Sequence, residues 1–379
     1  MKKPSSLYFP SGFQASGVAA GIKRSGKLDL ALFYSEVPAK VAAVFTSNSI
    51  KAAPLKVCRG YLSRNKYFQA LIANSGNANC FTGKAGLADA RNMSLLASRQ
   101  LGVRKEAVLV ASTGIIGRRM PLAKVKQAIP GLVKGLSQEG INQAKKAIMT
   151  TDTFAKEVSL KFKLGNKTVT IYGVAKGSGM IGPKVATLLC FLFSDAHITH
   201  EALNRALKVA VDNSFNCITV DGCMSTNDMV VLFANGLARN NLIEPDKGFN
   251  LFTQTLTKVC LELAQMVVRD AEGASKFITV KVENAKNIRE AKGLALNIAN
   301  SSLFKTAMFA SSPNVLGRIV AAVGASGVEL DEDKLKITLS ELAKKEIEVK
   351  VALGRGRASA TVYTSDLTYE YVKINAEYN

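Results

Sequence analysis

The chain has 379 residues, 47% hydrophobic and 21% charged, a balance close to that of soluble globular proteins and unlike that of disordered or fibrous chains. Its 50 lysines and arginines against 29 acidic residues give a formal charge of +21, which favours solubility and attracts anions without naming one. The longest apolar run, residues 186–193, is far below the roughly 18 to 20 residues that span a bilayer, and no apolar signal core follows Met1-Lys2-Lys3-Pro4, so the expectation is a cytoplasmic protein without a membrane segment.

Short β-rich runs alternate with helical patterns, which predicts an α/β or layered α+β fold over a sandwich, a bundle or a solenoid. In chain order, apolar runs predict strands over 28–34, 42–46 and 70–73. A helix over 88–101 follows, stopped by Gly102, then a strand over 107–111 and a helix over 121–136. Strands over 158–164, 169–174 and 187–193 come next. A helix over 200–213 is capped by Thr199, a strand covers 229–233, and a helix over 251–269 starts behind Asn250. The last third predicts a strand over 277–282, a helix over 288–303, strands over 335–339, 347–353 and 360–363, and a final strand over 369–374. No Pro/Ser-rich linker or composition break divides these elements, and the expectation is one compact unit. Six cysteines (Cys58, Cys80, Cys190, Cys217, Cys223, Cys260) are dispersed without a CxxC pair, which indicates neither a disulfide scaffold nor a zinc site.

With only His197 and His200, a histidine-based triad has little to draw on. Their H-x-x-H spacing lacks the i, i+4 geometry and adjacent Glu of a helical zinc motif, so no metal is assigned. Gly177-Ser178-Gly179-Met180-Ile181-Gly182 matches G-x-G-x-x-G and has Glu201 about 20 residues on. A dinucleotide site, however, needs a helix after the glycines, and the apolar run from Ala186 reads as a buried strand. The same loop delivers Thr187 to the mouth of that strand. A threonine hydroxyl can be activated by its own α-amino group once the preceding peptide bond is cut, although a bare threonine at a strand start is more often a β-branched packing residue. Basic clusters at Lys23-Arg24 with Lys27, Arg118-Arg119, and Arg355 with Arg357 are short and scattered, and no nucleic-acid motif accompanies them, so solvated faces are expected and a nucleic-acid partner is not.

Several distinctive blocks then occur in order: Ala20-Gly21-Ile22-Lys23, Asn74-Ser75-Gly76-Asn77-Ala78-Asn79, Ser112-Thr113-Gly114, Thr150-Thr151-Asp152-Thr153, 176–187, Thr219-Val220-Asp221-Gly222, Ser225-Thr226-Asn227-Asp228, Arg269-Asp270-Ala271-Glu272-Gly273, and 364–376. Over nearly the whole chain they resemble the glutamate N-acetyltransferase/ornithine acetyltransferase family of arginine biosynthesis. The resemblance implies two sheets flanked by helices and self-cleavage between Ala186 and Thr187. An α chain of residues 1–186 and a β chain of 187–379 would then stay intertwined as an α2β2 heterotetramer. It also implies that Thr187 takes an acetyl group from N-acetylornithine and passes it to glutamate by ping-pong transfer with no cofactor; use of acetyl-CoA as a second donor varies within the family, and no motif here decides it.

By the same resemblance Thr113 and Gly114 stabilise the oxyanion, and Thr150, Lys176, Thr187, Glu272 and Asn375 contact substrate. Lys176 suits an α-carboxylate and Glu272 an ammonium group. Taken singly, these residues would read as a turn, surface charges, a cap and a turn residue. The chain departs from the family pattern at Cys217, where Arg is usual, at Cys223-Met224 within 221–228, and at Val315-Leu316 within 312–318. The alternatives are an N-terminal-nucleophile amidase or aminopeptidase, in which water is the acceptor, and an uncleaved basic binding protein.

Overall fold

Apolar runs in the first two thirds of the chain pair into one mixed sheet. The computed structural model describes residues 7–182 and 188–377. Its strands are β1 (Phe13–Val18), β2 (Leu30–Phe45), β3 (Tyr67–Asn74), β4 (Val108–Ser112), β5 (Lys156–Leu164), β6 (Lys167–Lys176), β7 (Leu189–Ser194) and β8 (Met229–Ala234). The order is β4-β3-β2-β8-β7-β6-β5, with β1 added against β2. Strands β3 and β4 run parallel with Asn74 opposite Ser112, and β7 and β8 run parallel with Leu189 opposite Met229. Strand β6 is antiparallel to β7, setting Lys176 opposite Leu189.

On one face of the sheet lie α1 (Ala53–Leu62), α2 (Gly83–Leu101), α3 (Leu122–Lys134) and α4 (Ile141–Ala147), which share a core with Phe33, Phe191, Phe193 and Phe233. Ring centroids 5.2 to 5.8 Å apart give this core aromatic contacts beyond plain area burial. Helix α5 (His200–Asp212) packs along β2 and β8, and α6 (Phe249–Arg269) brings Val259 and Leu263 over Gly173 of β6, on the face opposite Tyr172 and Val174. There Gly173 leaves room for Leu192 and Leu263, since a Cβ would stand 2.7 Å from each.

The last third forms a four-stranded sheet of β9 (Phe277–Ala285), β10 (Lys336–Leu339), β11 (Glu346–Ala352) and β12 (Ala358–Ser365), in the order β10-β11-β9-β12. Alternation places Ile278, Val280 and Val282 of β9 with Ile347, Val349 and Val351 of β11 in one core. Helices α7 (Ile288–Asn300), α8 (Ser302–Phe309) and α9 (Val315–Gly324) cover it, and α10 (Tyr369–Ala376) follows. Val315, one of the departures, is buried in this core.

The sequence marks no boundary, yet contacts divide the chain into two compact units, each assembled from separate segments. The first comprises Met1–Gly177, Thr187–Asn213 and Ser225–Leu263, and the second Ser178–Ala186, Ser214–Met224 and Ala264–Asn379. The expectation of two sheets flanked by helices is met.

Several element predictions need correction. The strands expected at 28–34 and 42–46 are one strand, β2, whose pairing with β3 shifts between Tyr34 and Ala39. Pro38, lacking an N–H, sits in that irregularity instead of ending the strand. The helix expected over 288–303 is two, because Ser301 turns out of α7 and its hydroxyl accepts from Phe304 N to start α8. The strand expected over 369–374 is helix α10: Thr368 accepts from Tyr371 N, and Glu370 complements the helix dipole. Asn250 lies inside α6 and does not cap it. Strand β1 and helices α1, α4, α8 and α9 were not predicted.

Candidate active site

Just beyond α4, the turn Thr150-Thr151-Asp152-Thr153 supplies short polar side chains of the kind that bond to local amides. The Asp152 carboxylate, buried, accepts from Thr150 N at 2.9 Å, from Gly177 N at 2.7 Å and from Lys156 Nζ at 2.7 Å. Lys176 ends β6, also buried, with its Nζ 2.6 Å from Thr150 Oγ1 and 3.9 Å from Asp152. Burial alone would raise the Asp152 pKa, but Lys176, Lys156 and the Thr150 amide outweigh it and hold this carboxyl well below the usual range. Thr150 and Lys176, two of the expected substrate residues, are thus brought together and locked by a third residue that the sequence reading passed over. The signals were its place two residues after Thr150 and four before Lys156.

A cavity of about 550 Å³ opens beside Thr150, lined by Lys23, Lys27, Lys146, Met149, Asp152 and Phe154 among others. Lys23 Nζ donates to Leu28 O and Met149 O, both at 2.8 Å. Burial, opposed by Asp29 and Asp152 and aided by Lys176 and Lys27, lowers its pKa to about 8.

Thr113 and Gly114 follow β4 directly. Thr113 N donates to Asn74 O at 3.0 Å, and Gly114 adopts φ 129° with its backbone against the 74–79 loop. A Cβ on Gly114 would stand 2.4 Å from the Gly76 carbonyl carbon and 2.5 Å from Asn77 N, so only glycine fits. Asn227 staples the same loops, donating from Nδ2 to Ala78 O at 2.7 Å and to Ser112 O at 2.8 Å. Ser75 Oγ donates to Ala147 O at 2.5 Å, tying the 74–79 loop to the end of α4. The expected oxyanion pair therefore sits in a tightly bonded, glycine-dependent turn.

Ala186 and Thr187, the expected cleavage site and nucleophile, lie outside the described residues. The first described residue after them, Leu188, donates its N–H to Asp228 Oδ1 at 3.0 Å. Asp228 is fully buried, and burial pushes its carboxyl well above the ordinary range against the Leu188 amide, Ser225 and Lys176. The strand after the G-x-G-x-x-G loop is β7, not a helix, which removes the structural basis of a dinucleotide site.

In the second unit Glu272 and Asn375 are brought together. Asn375 Nδ2 donates to Glu272 Oε2 at 2.9 Å and to Tyr371 O at 3.0 Å, and Glu272 N donates to Ser178 O at 2.9 Å. Gly179 makes room for the carboxylate, since a Cβ there would lie 2.2 Å from Glu272 Oε2. Nearby, Asp221 Oδ2 accepts from Met180 N at 2.7 Å and from Tyr371 Oη at 3.1 Å. Burial and Asp221 raise the Tyr371 hydroxyl above its usual range, so it remains a donor. Cys223, a departure, is exposed and bonds its N–H to Asp221 Oδ1 at 3.0 Å. Among the described residues no helix is long and apolar enough to cross a membrane, and no group of three or more His, Cys, Asp or Glu side chains is placed to hold a metal ion.

Residues 14–379 match the ArgJ family. The chain is similar to the arginine biosynthesis bifunctional protein ArgJ of Geobacter sulfurreducens, with 43% identity over 389 residues, 97% of this chain and 98% of that one. It is likewise similar to the protein of that name from Caldanaerobacter subterraneus subsp. tengcongensis, with 44% identity over 397 residues and 98% of each chain. Among solved structures, the ornithine acetyltransferase of Mycobacterium tuberculosis, complexed with ornithine, is 39% identical, covering 48% of this chain and 94% of that one at a TM-score of 0.43.

Proposed function

The chain belongs to the ArgJ family, and from that premise we propose an enzyme of arginine biosynthesis that moves an acetyl group from N-acetylornithine to glutamate. In this reading the Thr187 hydroxyl first attacks the Ala186 carbonyl. Water hydrolyses the resulting ester, leaving residues 1–186 and 187–379 as separate chains assembled as α2β2. The new α-amine, of a kind that ordinarily titrates at about 7.7 to 8.0, then serves as base for its own hydroxyl.

In the first half-reaction Thr187 Oγ attacks the acetyl carbonyl. The α-amine takes the hydroxyl proton and returns it to the departing nitrogen of ornithine as the amide bond breaks. In the second, the glutamate amine attacks the acetyl ester, the Oγ–acyl bond breaks, and Thr187 recovers its proton. Each step passes through an oxyanion, for which Thr113 and the Gly114 amide are the proposed donors. Lys176, aligned by Thr150 and Asp152, takes the α-carboxylate. Glu272, oriented by Asn375, takes the ammonium of the donor side chain.

The single observation that carries this reading is the cluster that buried Asp152 and Lys176 form with Thr150 at the end of β6. It presents a fixed cation and a hydroxyl at the strand end that leads into the loop before Thr187, where an amino-acid substrate needs a carboxylate partner. The test is intact mass spectrometry with an acetyl-transfer assay on wild type and Thr187→Ala. Wild type is expected as two chains split before Thr187 and active. The variant is expected as one uncut, folded and inactive chain, and acetyl transfer by it would remove Thr187 from the mechanism.

A further inference from the structure

The two substrates of the proposed reaction differ at the far end of their side chains: ornithine carries an ammonium and glutamate a carboxylate. The Glu272 carboxylate suits the first and repels the second, so the acceptor's second carboxylate needs a cation of its own. Resting on the acetyl-transfer reading, we propose that Lys23, with Lys27 and Lys146 at the rim, forms the subsite for the side-chain carboxylate of the acceptor, making Lys23 a specificity-determining residue of the second half-reaction.

Lys23 is held from both ends. Its main-chain N–H donates to Asp29 Oδ2 at 2.8 Å, and its Nζ donates to Leu28 O and Met149 O. An ammonium has three donors, so two anchor the group and the third serves a ligand. Its stem lies against the 74–79 loop, since a Cβ on Gly76 would meet Lys23 Cγ at 3.0 Å, and Gly114 of the expected oxyanion pair rests on the backbone of that same Gly76. The cation therefore stands between the 74–79 loop and Met149, the neighbour of Thr150, lining the same cavity as Thr150. Leu28, Met149 and Phe154 add apolar wall for methylene groups, and about 550 Å³ falls in the range of small-molecule sites. With its pKa lowered to about 8, Lys23 holds its charge at a cost that an arriving carboxylate relieves.

The experiment measures kcat/KM for glutamate and for glutamine as acceptors, and separately ornithine release from N-acetylornithine without acceptor, in wild type, Lys23→Met and Lys23→Arg. Lys23→Met is expected to lower kcat/KM for glutamate about tenfold to a hundredfold, as loss of a charge-assisted hydrogen bond does. Glutamine use and ornithine release should move less than about threefold, and Lys23→Arg should restore most of the preference for glutamate. The doubly substituted Lys27→Ala/Lys146→Ala protein changes only exposed side chains and is expected to lower the glutamate-to-glutamine ratio about threefold. An unchanged ratio in either folded variant, or equal losses with donor and acceptor, overturns the subsite. Wild-type protein that transfers acetyl to neither acceptor overturns the acetyl-transfer reading instead, and the subsite falls with it.

Discussion

Asp152 ties the turn that carries Thr150 to both Lys156 and Lys176. It is buried with two lysines, and its carboxylate bonds the amides of Thr150 and Gly177, so it fixes the turn at Thr150 to the end of β6 at Lys176. Removing one partner of a buried ion pair costs about 3 to 5 kcal/mol, and Asp152→Asn is expected to lose stability in that range at pH 7. Its folded pKa is depressed, so its contribution is fully present above the unfolded value of about 3.9 and fades only as pH falls toward the folded one. Urea midpoints of wild type and variant should thus differ by a constant amount from pH 8 to 5 and converge below about pH 4. Equal midpoints at pH 7 would show that the ion pair contributes nothing. Acetyl transfer by the variant should show a raised KM for both substrates, since Thr150 and Lys176 lose their common anchor. None of this could be seen in the residue alone, because an Asp in a Thr-rich turn is usually a local cap.

At the scale of elements, the expected oxyanion pair and Lys176 lie at the ends of β4 and β6, whereas Thr150 follows α4, Glu272 follows α6 and Asn375 lies in α10. The Thr199 cap and the left-handed Gly102 stop were legible because both act within one turn of chain. The helix at 369–376 was not, because Tyr, Val and Ile favour a strand while Thr368 and Glu370 favour a helix start, and the cap prevailed. The β4 turn depends on Gly114, whose φ and close approach to Gly76 no side chain tolerates. Gly114→Ala is expected to displace the turn and lower kcat about 10² to 10³-fold, the scale of losing one oxyanion donor, with KM for N-acetylornithine little changed. Steady-state kinetics check this, and a wild-type kcat would take Gly114 out of the oxyanion role.

For the whole molecule, the charge of +21 is a field spread over scattered lysines and arginines. Screening acts within about 10 Å at 0.1 M salt. Retention on an immobilised polyanion is therefore expected to vanish by moderate salt, while the glutamate-to-glutamine acceptor ratio, set at the half-buried Lys23, should shift less than about twofold between 0.05 and 0.3 M. A ratio that collapses with salt would place the preference on the exposed surface instead.

The order of the motifs marked the family and, by resemblance, its two sheets, while periodicity and turn chemistry determined from the sequence alone most element types and the layered class. They report which face of a segment is buried and where it turns, and those are local properties of the chain. Only the tertiary structure decided that Lys23 reaches Met149 across 126 positions, that Asn375 reaches Glu272 across 103, and that Gly114 settles on Gly76. Such pairs are set by the path of the backbone between distant segments, and no local pattern of residues records that path.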